Sequence, residues 1–159
     1  MIERKIVTSV LVYTYEELSE EYKRLVDEAK RVTQNAYAPY SKFNVGAAVL
    51  LENGEIVCST NQHNPAYPSG LCAERVTMFY ANSRYPNVAP RAIAIATFAD
   101  GDFLDEPITP CGACRQVLLE SEIRYGKDID VLLFGRKGIY VLSNVKGLLP
   151  LSFDKSFLK

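Results

Sequence analysis

Apolar side chains recur along residues 14–33 as Leu18, Tyr22, Leu25, Ala29 and Val32, the three-and-four spacing of a single helix face. Thr14 followed by Glu17 has the residue types of a capping box, so the pattern predicts a first helix from Thr14 to about Thr33. Tyr37-Ala38-Pro39-Tyr40 breaks it, because a residue before proline is pushed away from helical backbone. Beyond that point the period shortens. Residues 43–51 and 55–59 are strand-like runs joined around Asn53-Gly54, the dipeptide best suited to a tight hairpin. A loop with Asn61, Pro65, Pro68 and Gly70 follows, and Ser69 is placed to cap a second helix over residues 71–81. Residues 91–98, rich in isoleucine and alanine, suit a buried strand. Thr109-Pro110 has the form of a helix cap with proline at the first helical position, predicting a third helix that reaches about Glu122. Residues 129–134 and 139–142 read as strands around Gly135-Arg136-Lys137-Gly138, and the tail from Asn144 as a short helix ending before Pro150, then coil. The order α-β-β-α-β-α-β-β-α predicts an α/β fold with one sheet covered by helices on both faces. The hairpin makes the sheet antiparallel at its start, and the crossover helices permit parallel pairs later. With no repeat, low-complexity tract or long linker, one domain spanning residues 1–159 is expected.

Composition narrows the class. The 159 residues are 48% hydrophobic and 23% charged, enough to build a real core without disulfide staples. A formal net charge of -1, with no local cluster of Lys and Arg, supplies no groove for a phosphate backbone, so no nucleic-acid partner is expected. No apolar run approaches membrane-spanning length, so no membrane partner is expected either. Arg4 and Lys5 ahead of residues 6–12 imitate the start of a signal peptide. Thr8 and Ser9 interrupt that stretch, however, and no small-residue cleavage site follows; the chain reads as cytoplasmic. In that setting its four cysteines point to metal or redox chemistry.

Three of the four lie at predicted helix starts: Cys72 on the second helix, Cys111 and Cys114 on the third. Positions 111 and 114 share a helix face, so their sulfurs can grip one ion. A helix N-terminus favours negative charge and lowers a thiol pKa toward the thiolate that metals bind. Three thiolates give zinc three ligands and leave the fourth tetrahedral position open, as a catalytic site needs. Buried structural thiols, a structural zinc site and a redox dithiol are the competing readings of the same cysteines. What separates them is the pairing of Pro110-Cys111-Gly112-Ala113-Cys114 with Cys72-Ala73-Glu74, which places a carboxylate beside the cluster in the pattern of zinc deaminases. Three thiolates leave the site at net -1, and Arg75 is the obvious group to withdraw charge from sulfur. Cys58, between Val57 and Ser59 in a predicted strand, reads as a core thiol, and Tyr37 and Tyr40 as packing residues.

The sequence resembles the small homotetrameric cytidine deaminases from about Ala29 to Phe153. The resemblance rests on Ala38-Pro39-Tyr40-Ser41-Lys42-Phe43, Val45-Gly46-Ala47-Ala48, Cys72-Ala73-Glu74-Arg75, residues 110–117 and Leu148-Leu149-Pro150. Residues 1–13 lie outside it. It implies a three-layer α/β/α fold with a five-stranded mixed sheet, a homotetramer, and one zinc per chain held by Cys72, Cys111 and Cys114. Glu74 would shuttle protons between water and the cytosine ring, with Arg75 beside the sulfurs and Gln116 supporting the same shell. Phe43 would pack near the base, with Ala73 also at the substrate. Asn61 would meet the ribose, and Phe153 would reach a neighbouring subunit's site. The implied reaction is hydrolysis of cytidine or deoxycytidine to the uridine form with release of ammonia, a step of pyrimidine salvage.

One position departs from the family pattern. Where the family usually shows Asn-x-Glu-Asn, with asparagine and glutamate gripping the ribose hydroxyls, this chain reads Asn61-Gln62-His63-Asn64. A carboxylate only accepts hydrogen bonds, whereas neutral imidazole offers one donor and one acceptor. The zinc chemistry is untouched by the change; the sugar contact is not. The alternative substrates are another aminated heterocycle: a nucleobase, a nucleotide or a blasticidin-like nucleoside. The alternative from another class is a non-catalytic, zinc-stabilised subunit, against which Glu74 speaks.

Overall fold

A computed structural model describes residues 1–158. Its elements, in chain order, are β1 (Leu11–Tyr13), α1 (Glu20–Val32), β2 (Asn44–Leu51), β3 (Ile56–Thr60), α2 (Ala73–Arg84), β4 (Pro90–Ala99), β5 (Asp102–Phe103), α3 (Gly112–Tyr125), β6 (Asp130–Gly135) and β7 (Gly138–Leu142). The strands form one mixed sheet in the order β1-β7-β6-β4-β2-β3, with β5 folded back on β4. The β2–β3 hairpin is antiparallel and turns at Gly54, whose φ of +84° is open to glycine at little cost. β4 pairs antiparallel to β2 and parallel to β6, so the parallel pair arises where α3 makes the crossover.

Alternation along the central strands sends side chains to opposite faces, and both faces are covered. Ala48 and Leu50 of β2, Ala92 and Ala94 of β4 and Leu132 of β6 meet α1 through Leu25, Val26 and Ala29. On the other face Ala47, Val49, Ile93, Ile95, Val131 and Leu133 meet Ala73, Met78 and Ala81 of α2 and Leu118 and Leu119 of α3. The result is the three-layer α/β/α arrangement that was expected. Its sheet is wider than the expected five strands, because β1 adds to the free edge of β7 and β5 adds to β4. Both additions are two or three residues long, too short for alternation to reveal them.

Helix starts differ from the sequence pattern as well. Glu17 does accept from the Thr14 backbone N–H at 2.7 Å, but that contact closes a turn. The helix begins at Glu20, where the Ser19 side chain accepts from Tyr22 N–H. Ser69 sits in a separate 3-10 turn, Tyr67–Ser69, and Pro110 precedes the third helix instead of opening it. The N-cap positions belong to Cys72 and Cys111, neither of which makes a side-chain cap bond. Two sulfurs are thereby left free at helix starts. The tail beyond Pro150, expected as coil, carries one more 3-10 turn at Lys155–Phe157.

The layers approach most closely at Gly46, where a Cβ would stand 2.1 Å from the Ala29 carbonyl oxygen and 2.9 Å from a Val32 methyl. Backbone cannot yield as a flexible side chain would, so Gly46→Ala has to push α1 off the sheet. Overpacking of this kind costs about 1–3 kcal/mol. The expected outcome is a thermal midpoint lower by several degrees, at about 2–4 °C per kcal/mol for a chain of this size. An unchanged melt would show that α1 is not held at this point.

Candidate active site

β3 and β4 both lie antiparallel to β2 and so run in the same direction, and β6 runs parallel to β4. The connections through α2 and α3 are therefore two parallel crossovers, and both helices start at the carboxyl ends of the strands they follow. Open α/β sheets place their ligand sites at those ends. Here the two starts bring Cys72, Cys111 and Cys114 together, with all three sulfurs within 4.8 Å of one another. Cys72 Sγ lies 3.8 Å from Cys111 Sγ, which lies 3.5 Å from Cys114 Sγ. Two sulfurs bound to one tetrahedral zinc at about 2.3 Å each stand about 3.8 Å apart, so the spacing fits that ion. None of the four cysteines is in a disulfide. Cys58 is remote from the cluster, half-buried beside Glu28 and Arg31.

The three sulfurs are not equivalent. A hydrogen bond from the Cys114 thiol, with Arg75 and Cys111 assisting, pulls the Cys72 thiol down to about 5. Cys114 moves the other way, because it shares its proton with Cys72 and is buried. Arg75 Nη2 reaches Cys72 Sγ at 3.9 Å, as expected for a cation that offsets thiolate charge. Glu74 follows Cys72 by two positions, in the first turn of α2. It is 4% exposed, and burial pushes its carboxyl above the ordinary range.

A cavity of about 650 Å³ opens over this group. Cys72, Cys111, Glu74 and Arg75 line one part of it, and Phe43, Val45, Leu71 and Ile108 supply apolar wall. Asn61 and His63 also line it, alongside Tyr40, Asn64 and Tyr67. The helix-start sulfurs, the buried carboxyl and the walled cavity thus converge in one place.

Residues 19–126 match the family model described as the cytidine and deoxycytidylate deaminase zinc-binding region. The chain belongs to that deaminase family. The deaminase is 39% identical over 135 residues to the cytidine deaminase of Sporosarcina psychrophila, covering 85% of this chain and 93% of that one. It is 42% identical over 96 residues to the cytidine deaminase of Halalkalibacterium halodurans, covering 60% of this chain and 68% of that protein. Among solved structures, the cytidine deaminase from Burkholderia pseudomallei superposes with a TM-score of 0.69 at 35% identity, covering 86% of this chain and all of that one. Family and geometry agree on the metal: Cys72, Cys111 and Cys114 are placed to hold one zinc per chain.

Other side chains of the deaminase make contacts that the sequence did not announce. Gln116 Nε2 donates to the Phe153 carbonyl at 2.9 Å. Phe153 is more than half exposed and stacks on Phe157, outside the cavity of its own chain. Asn61 lines the cavity but spends its amide on backbone, accepting from Val45 N–H at 2.9 Å and donating to the Phe43 carbonyl at 2.8 Å. Tyr40, read as a packing residue, instead lines the cavity with its ring 6.0 Å from that of His63 and nearly parallel to it. Tyr37 contributes backbone to the same loop, through Asn61 and His63, and not to the cavity.

The residue that sequence reasoning passed over is Arg115. Its guanidinium donates to the Pro110 carbonyl at 2.8 Å, the Leu148 carbonyl at 2.9 Å and Thr109 Oγ1 at 3.1 Å. It thereby ties the strap before Cys111 to the 3-10 turn Lys146–Leu148. Arg115 was legible only as one member of a motif, since two of its partners are backbone oxygens and one of them, Leu148, lies 33 positions away. Each charged-donor bond is worth about 1.5–3 kcal/mol. Arg115→Ala is expected to weaken zinc retention against a chelator by at least tenfold, with a lower melting midpoint. Full zinc retention in a folded Arg115→Ala protein would show that the strap stands without it.

Proposed function

We propose that the chain is a zinc-dependent hydrolase that converts cytidine or deoxycytidine to the corresponding uridine nucleoside, releasing ammonia. The observation that carries this reading is the buried Glu74 carboxyl beside the three-sulfur cluster, facing a cavity large enough for a nucleoside. Hydrolytic deamination forms a bond from water oxygen to the amine-bearing ring carbon and breaks the bond from that carbon to nitrogen. It needs one group to take a proton from water, deliver one to the ring nitrogen and deliver another to the departing amine. Glu74 suits all three tasks: its pKa is raised by burial, so the carboxyl holds and releases protons closer to neutrality than an exposed glutamate does. Zinc, when bound, supplies the Lewis acidity that brings water toward ionisation near neutral pH. Arg75 tempers the negative charge of three thiolates, and a non-catalytic zinc subunit would have no use for a protonatable group buried at this point.

The apolar wall of Phe43, Val45, Leu71 and Ile108 suits a planar base, and Ala73, a residue without side-chain bulk between Cys72 and Glu74, lets its ring approach. We assign the base to this end. The substituent on the ring then points toward Tyr40, His63, Asn64 and Tyr67, a rim without a carboxylate or a lysine among the described lining residues. That rim favours a second reading, in which the chain deaminates another aminated heterocycle. Four free cysteines suit a reducing compartment, which supports a cytoplasmic location. The exposed Phe153 and Phe157 pair supports assembly into a homotetramer, with Phe153 reaching a neighbour's site.

Ammonia release across cytidine, deoxycytidine, cytosine, cytidine monophosphate, blasticidin S and adenosine tests the reading, and the two pyrimidine nucleosides are expected to lead. Cys111→Ala is expected to abolish zinc binding and turnover together, measured by metal analysis and ammonia assay; a full-length preparation active without metal would remove the mechanism. Glu74→Gln keeps size and hydrogen bonding but cannot carry the proton. Zinc is expected to stay while turnover drops about 10²- to 10⁴-fold, the usual worth of general acid–base help. Near-normal turnover would take Glu74 out of the reaction.

A further inference from the structure

The amide of Asn61 cannot be reversed. Its oxygen meets a backbone N–H at Val45 and its nitrogen meets a carbonyl at Phe43, so each end has one permitted identity. The second hydrogen of that nitrogen faces His63, with Asn61 Nδ2 and His63 Nε2 3.5 Å apart. Since Nδ2 only donates, Nε2 has to accept, and a neutral imidazole that accepts at Nε2 carries its proton on Nδ1. The residue is held at two further points. Its backbone N–H donates to the Tyr37 carbonyl at 2.8 Å, and its face lies within 3° of parallel to Tyr40.

Resting on the deaminase reading above, we infer that His63 is a specificity residue that donates its Nδ1–H to an acceptor oxygen on the substituent of the substrate's ring nitrogen. The tautomer is set by Asn61. No other side-chain hydrogen bond engages His63 among the described residues, so Nδ1–H remains for the ligand. With the base at the cysteine end of the cavity, the substituent is what reaches the rim where His63 stands. The substrate class is then a nucleoside or nucleoside-like compound, not a bare base, which carries no oxygen there. A donor at this position accepts an ether oxygen as well as a hydroxyl; a carboxylate at the same position would accept only a hydroxyl.

His63 is the only histidine in the chain, so its ring gives an unambiguous nitrogen spectrum. In the zinc-loaded protein labelled with ¹⁵N-histidine, the neutral ring is expected as the Nδ1–H tautomer, in place of the Nε2–H form that free histidine prefers. The second arm measures kcat/KM for cytidine against its 2′-, 3′- and 5′-deoxy and O-methyl derivatives. At one oxygen, removal is expected to cost about 2- to 13-fold, the worth of a net hydrogen bond, while methylation costs clearly less. In His63→Ala the removal penalty at that oxygen is expected to vanish, and in His63→Glu methylation is expected to become as costly as removal. An Nε2–H tautomer, or oxygen penalties identical in wild type and His63→Ala, overturns the assignment while leaving deamination standing. Equal penalties for methylation and removal at every oxygen of the wild type overturn it as well, and need no variant to fold. If the zinc-loaded wild type releases no ammonia from cytidine, the deaminase reading falls and this inference falls with it.

Discussion

Three sulfurs from two helix starts have to stand within 4.8 Å of one another, although Cys72 and Cys111 are 39 positions apart. Nothing local can arrange that. It follows from β3 and β4 running the same way on either side of β2, and from β6 continuing that direction beyond β4. Two crossovers of the same sense over the same face aim both helix starts at one end of the sheet. The rest of the molecule serves this convergence: α1 covers the opposite face, Gly46 lets it sit close, and the buried valines, isoleucines and alanines keep the strands in register.

The same convergence creates an electrostatic problem. Thiolates this close repel, and only a cation among them makes their joint ionisation favourable. In the protein alone the cluster answers by sharing protons, so that Cys72 gives up its own readily and Cys114 keeps one. Arg75 stands on the side of Cys72, the more acidic thiol. Glu74 faces the same negative neighbourhood from within the fold, where burial and the charge of Cys72 both favour its protonated form. One cluster therefore prepares two things, a metal seat and a proton carrier.

Most of the core and the chemistry was legible along the chain. The Asn53-Gly54 hairpin, the isoleucine-rich central strand and the cysteine pairing are local signals, each read within a few residues. Helix starts were less legible. Thr14, Ser69 and Thr109-Pro110 are all good capping chemistry, but the helices begin where tertiary packing lets them, and at two of the three starts a cysteine holds the cap position without capping. Strands β1 and β5 were invisible because pairing, not pattern, makes them strands. Asn61, expected at a sugar, lines the cavity with its amide tied to the start of β2, and Gln116, expected to support the metal shell, binds the C-terminal segment. In both cases residue type announced a hydrogen-bonding group, and only the fold chose its partner.

The edge strand β1 is the first strand of this sheet in chain order, and its partner β7 is the last. During vectorial synthesis β1 has nowhere to dock until β7 has emerged. Ile6, Val7, Val10 and Val12 stay exposed even in the folded chain, so docking β1 adds strand pairing with little apolar burial. Closing so long a loop late is slow, and it contributes little to nucleation. The N-terminal segment thus behaves as a clasp, fastened only once β7 is available. A nascent chain stalled short of residue 138 would show other proteins the unpaired edge of β6, with Leu148, which Arg115 needs to tie the strap before Cys111, still unmade.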